Sequence, residues 1–167
     1  MARTRPRARP KAERATAQLD KPLTYDARRA PDHGHWLERS EQERLDAVRR
    51  FHVTPPLPHQ LPASLEAHSA IHAVIETQLA SGDPPEAKRA LGRLLSEGLT
   101  RHDAIHALGS TFASSVWEVA EGDPKAFDVD AYKRALRSLD YAHWRELVDG
   151  SAPPPQKRKA RKSKKRG

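Results

Sequence analysis

The chain has 167 residues, 30 lysines and arginines against 22 acids, and no cysteine, which excludes disulfides, thiolate chemistry and any cysteine-ligated zinc. The formal charge of +8 sits in the two ends. Six of the first 14 residues and eight of the last 11 are basic, leaving 16 basic and 21 acidic residues between them, a net of −5. This pattern is an acidic body with two cationic arms, not a protein with a basic face.

No apolar stretch approaches the roughly 20 residues that cross a bilayer. The cationic start is not followed by the apolar segment of a secretory leader. The expectation is therefore a cytoplasmic protein with no membrane partner. Residues 1–30 read as a basic arm and lead-in: the arm, to about Leu19, holds too few apolar side chains to bury and is expected to be disordered, and an irregular lead-in follows from Pro22. Residues 31–149 read as a helical domain, and 150–167 as a proline linker with a disordered Lys/Arg-rich tail.

Within the domain, Ser40-x-x-Glu43 is a capping box that opens a first helix, with Leu45, Val48 and Phe51 as its stripe and Trp36 and Leu37 as a staple. The segment Val53–Pro62 carries four prolines and cannot continue it. A second helix is predicted from about Ser64 to Ala80, stopped by Ser81-Gly82. Asp83 then caps a third, with Pro84 at its first position, Glu86 completing the box and Gly98 ending it. Thr100, with Asp103 three residues on, opens a fourth whose stripe of Ile105, Leu108, Phe112 and Val116 runs to Gly122. A fifth follows from about Val129 to Val148. No period-two alternation is present, so the fold class is all-α: a compact bundle of four to five helices with disordered basic N- and C-terminal arms. Short connections favour antiparallel neighbours, which would make the second and fourth helices roughly parallel with the third between them.

Two histidine pairs at helical spacing carry the chemistry: His68-x-x-x-His72, followed by Glu76, and His102-Asp103-x-x-His106. Residues four apart stack on one helix face, so each pair aims two imidazoles at one point. If the two helices face each other, His68, His72, His102 and His106, with Glu76 as a fifth or bridging ligand, form a site for a divalent metal, zinc or iron suiting imidazole and carboxylate best. His52, at the end of the first helix, could join the site. His33, His35, His59 and His143 are expected in loops or at the surface. The competing reading is a buried hydrogen-bond network of histidines and carboxylates that pins two helices in register. His102-Asp103-x-x-His106 also approaches the H-E-x-x-H zinc-peptidase pattern, making Asp103 the catalytic candidate. However, Asp is one methylene shorter than the usual base, and no edge strand is evident to hold a peptide.

The stretch HSAIHAVIETQLASGDPPEAKRALGRLLSEGLTRHDAIHALGS resembles the core of an uncharacterised bacterial family, domain of unknown function 1841, and the flanks WLERSEQERLDAVRRFH and FDVDAYKRALRSLDYAHW are similar to its flanks. The resemblance spans about Pro31 to Val148. It implies the helical fold and the histidine site but no activity, and where this chain has Asp103 the family's motif usually has Glu.

The tail suggests a second function class. Lys157, Arg158, Lys159, Arg161, Lys162, Lys164, Lys165 and Arg166 could neutralise phosphates without reading sequence. No aromatic is interleaved to stack on bases. The alternative function is thus a nucleic-acid- or ribosome-associated accessory protein whose histidines are structural.

Overall fold

A computed structural model describes residues 22–121 and 127–148 of the chain. The N-terminal arm up to residue 21, Gly122 and the C-terminal tail with its eight cationic residues lie outside these. Among the described residues the protein is all helix and turn: α1 (His33–Leu37), α2 (Glu41–Val53), α3 (Leu65–Ser81), α4 (Pro85–Ser96), α5 (Arg101–Glu121), α6 (Val129–Ser138) and α7 (Tyr141–Val148). No helix among them is long and apolar enough to cross a membrane.

Local chemistry sets most of the boundaries. Ser40 accepts from the Glu43 amide while the Glu43 carboxylate accepts from the Ser40 amide, the reciprocal box that starts α2. Ser64 caps α3, and Gly82, at φ 75°, closes it in the left-handed region. At the end of α4 the Leu99 amide reaches back to the Leu94 carbonyl (3.1 Å) and the Gly98 amide to that of Leu95 (3.2 Å). This is a Schellman closure around Gly98 at φ 99°, with Leu94 and Leu99 buried beside it.

Several details depart from expectation. Asp83 does not cap α4. Pro84 occupies the cap position without a side-chain bond and Pro85 begins the helix. Glu86 instead reaches across to Arg137, 2.9 Å away. The predicted fifth helix is two helices, broken at Leu139. Asp140 starts the second by accepting from the His143 amide (2.8 Å), and Arg93 of α4 braces the break by donating to the Leu136 and Leu139 carbonyls. The lead-in is irregular, as expected, but also packed, since Leu23, Tyr25 and Ala27 are buried with Trp36 and Val48. The packed body therefore starts ahead of residue 31.

The relation of α3 to α5 also differs. Glu76 meets Arg101, His72 meets His102 and His106, and Ile71 meets Gly109. Numbers fall along α3 as they rise along α5, so the two helices run in opposite senses and touch directly. Between them α4, 12 residues or about 18 Å long, packs against both and turns the chain. At the crossing a Cβ on Gly109 would lie 2.6 Å from Ile71 Cγ2, so only glycine permits this approach.

Candidate metal centre

His52 ends α2, His68 and His72 lie one turn apart on α3, and His102 and His106 one turn apart on α5. His59 comes in from the proline-rich connection between α2 and α3, where it is half-buried. His52, His72 and His102 are buried. The structure thus brings together all four histidines expected from spacing, draws in His52, which the sequence allowed, and adds His59. His59 was expected in a loop, which it is, but the loop folds its ring inward.

The six rings have a specific arrangement. Each neighbours four of the other five, with centroids from 4.4 Å (His102 and His106) to 5.5 Å (His52 and His102) apart. The pairs that are not ring neighbours are His52–His106, His59–His72 and His68–His102, and each histidine appears in one of them. Six points with edges of similar length and three opposite pairs are the vertices of an octahedron.

The Nε2 atoms point inward. Those of His59, His72, His102 and His106 are buried and meet no hydrogen-bond partner, and those of His52 and His68 lie 3.1 Å from each other. Two sets of four, His52/His59/His102/His106 and His52/His68/His72/His106, each bring their ligand nitrogens within 4.8 Å of one another.

The outer nitrogens explain the orientation. His52 Nδ1 donates to the Val48 carbonyl (2.9 Å) and His59 Nδ1 to that of Gln60 (2.6 Å). A carbonyl can only accept, so both rings keep a lone pair on Nε2. The Tyr25 hydroxyl donates to Glu76 Oε1 (2.9 Å) and accepts from His72 Nδ1 (3.1 Å), which fixes the same tautomer there. Burial first, and then the Glu76 carboxylate, hold the Tyr25 hydroxyl protonated well above its ordinary range.

Glu76 does not enter the cluster. It is fully buried, and its two oxygens are taken by Arg101, at 2.7 Å each, and by Tyr25. The ligand role expected of it is replaced by a buried ion pair that anchors the Tyr25–His72 bond. Asp103 is exposed. Its carboxylate accepts from the Thr100 hydroxyl (2.7 Å) and its amide donates back (3.2 Å), so its position is explained by the start of α5, not by catalysis.

Burial, and secondarily the neighbouring imidazoles, hold His52, His68, His72, His102 and His106 neutral. His68 is pushed down to about 3, and His102 and His106 to about 4. His52 is lowered, and His72 is lowered furthest. Neutral imidazoles with inward lone pairs are what a metal needs. Replacing Tyr25 with Phe should weaken metal binding about 10- to 100-fold with the helical signal retained, since outer partners of ligating histidines contribute on that scale. Titration with a chromophoric competitor would read it, and an unchanged affinity would remove Tyr25 from the site.

No known family, curated protein or solved structure matches this chain.

Proposed function

We propose that this protein is a metal-binding helical bundle that holds a divalent first-row transition ion, zinc or iron among them, through imidazole nitrogen alone. Kinship with the uncharacterised bacterial family is part of the same proposal and adds no reaction to it. The observation that carries the reading is the group of four buried Nε2 atoms without partners, on histidines that belong to the two four-histidine sets. A buried polar atom left unpaired costs about 1–3 kcal/mol. A purely structural histidine network would pair these atoms with each other or with a carboxylate, yet the nearby buried carboxylate, Glu76, is committed to Arg101 and Tyr25. An ion at the centre satisfies all of them together.

Elemental analysis of the purified full-length chain, after loading with zinc or iron(II) and dialysis, tests this. About one equivalent per chain is expected in the wild type, and loss of it in His72→Ala/His106→Ala with the far-ultraviolet circular dichroism retained. The single variant His106→Ala, which breaks both four-histidine sets, serves if the double variant unfolds. Wild-type protein that stays metal-free would overturn the reading.

A further inference from the structure

The metal reading leaves open how many of the six imidazoles bind together and which ions they select. Resting on that reading, we propose that His52, His59, His68, His72, His102 and His106 form one coordinatively closed octahedral site for a single six-coordinate divalent ion, namely iron(II), cobalt(II) or nickel(II), rather than a four-coordinate zinc site with two spare histidines.

Two measures agree, and a third holds for one of the three opposite pairs. Edges near 5 Å place each ring centroid roughly 3.5 Å from the centre of the octahedron, while a metal–imidazole bond of about 2.1 Å plus the distance from Nε2 to the ring centre reaches about 3.3 Å. Nitrogens at adjacent vertices of such a site are about 3 Å apart for bonds near 2.1 Å, and the adjacent pair His52 and His68 is separated by 3.1 Å. Opposite nitrogens are about 4.2 Å apart at the same bond length; the opposite pair His52 and His106 falls within 4.8 Å, whereas His59–His72 and His68–His102 share neither four-histidine set and draw in as the ion binds.

Charge and geometry narrow the ion. Six neutral imidazoles bring no negative charge, and the buried carboxylate nearby is neutralised by Arg101. The set therefore favours a divalent over a trivalent ion. Zinc prefers four ligands and copper(II) a tetragonal field, whereas iron(II), cobalt(II) and nickel(II) accept imidazole and six-coordination. With every position filled by protein, no bound water is left for activation, so the centre suits holding an ion rather than hydrolysis.

The surroundings supply a way in. His68, His72 and His106 are mutual neighbours and so form one triangular face. A cavity of about 260 Å³, lined also by Gly109, Ser110 and Trp144, opens on that face. The opposite face is His52, His59 and His102, with Phe51 packed against two of its rings. His59 is the sole ligand outside a helix, so the α2–α3 connection closes the site.

Cobalt(II) distinguishes the coordination numbers optically. An octahedral field is near-centrosymmetric and gives weak d–d bands, whereas a tetrahedral one gives intense visible bands. The full-length protein titrated with cobalt(II) should bind one equivalent with weak bands. His59→Ala, outside every helix and checked for retained far-ultraviolet circular dichroism, should lower cobalt(II) affinity at least about tenfold and intensify the bands. In competition, nickel(II) should displace zinc. Stoichiometric binding with intense bands in the wild type, or a His59→Ala protein with unchanged affinity and spectrum, would overturn six-coordination while leaving the metal reading in place. Failure to bind cobalt(II), nickel(II) and zinc alike would overturn both.

Discussion

Metal-free protein unfolds on acidification between pH 6.5 and about 5. His68, His72, His102 and His106 titrate below the ordinary 6.5 in the folded chain, down to about 3 for His68 and about 4 for His102 and His106, because burial disfavours their charged forms. The unfolded chain regains the ordinary value, so below pH 6.5 it binds protons that the folded chain refuses. Stability then rises with pH through this window and is lost as pH falls, the reverse of a histidine that gains a carboxylate partner. Each such group contributes about 1.4 kcal/mol per pH unit. By pH 5 four of them approach about 8 kcal/mol, and half of that still rivals the roughly 5–15 kcal/mol that holds a domain folded. Circular dichroism of chelator-treated protein across pH 7.5 to 4.5 checks the expectation. A melting temperature that is the same at pH 5 and pH 7 would refute it. Loaded protein should resist to lower pH, because an ion occupying the lone pairs binds only the folded chain.

Arg101→Ala lowers stability by about 3–5 kcal/mol, the typical cost of stranding one member of a buried ion pair. The Glu76 side chain is wholly inaccessible, and the guanidinium holds both of its oxygens at 2.7 Å while also donating to the Ala27 carbonyl at 2.9 Å. Without it a carboxylate is left inside the bundle with one hydroxyl partner. Removing the charge as well, in Arg101→Ala/Glu76→Gln, should recover part of the loss, because the amide can still accept from Tyr25 and carries no uncompensated charge. Urea denaturation of the wild type, both single variants and the double variant closes the cycle. A loss under about 1 kcal/mol for Arg101→Ala would place the pair with ordinary surface salt bridges. Through Tyr25 the same change should also loosen His72.

Much of this fold is written in local rules. Ser40 with Glu43, Ser64, Gly82, Gly98 and Thr100 mark helix ends by chemistry that acts within four residues, and the all-α class follows from them. The break at Leu139 was missed because Asp140 lies inside an otherwise continuous apolar stripe, and the brace from Arg93 comes from a helix more than forty residues away. The opposed directions of α3 and α5 depend on how α4 packs between them, which loop length does not encode. The site divides in the same way. His68 and His72, like His102 and His106, declare themselves by a spacing of four. His52 sits at a helix end where half of the pattern is missing, and His59 sits among prolines with no period at all, so only the folded path of the loop reveals it. Glu76 was visible as a carboxylate on the correct face. What spacing could not show was that Arg101, in the first turn of another helix, would reach it before any ion could.

Gly109 carries no ligand atom, yet it governs the centre's dimensions. With a single hydrogen where another residue would place a carbon 2.6 Å from Ile71 Cγ2, it lets the Ile71 side chain of α3 seat against the α5 backbone. His72 follows Ile71 directly, and His106 lies three residues before Gly109. The glycine therefore works as the stop of a caliper, setting the bore of the imidazole cage and with it the ionic radius that the cage accepts. Discrimination by size is in this way lodged in a residue that carries no ligand atom.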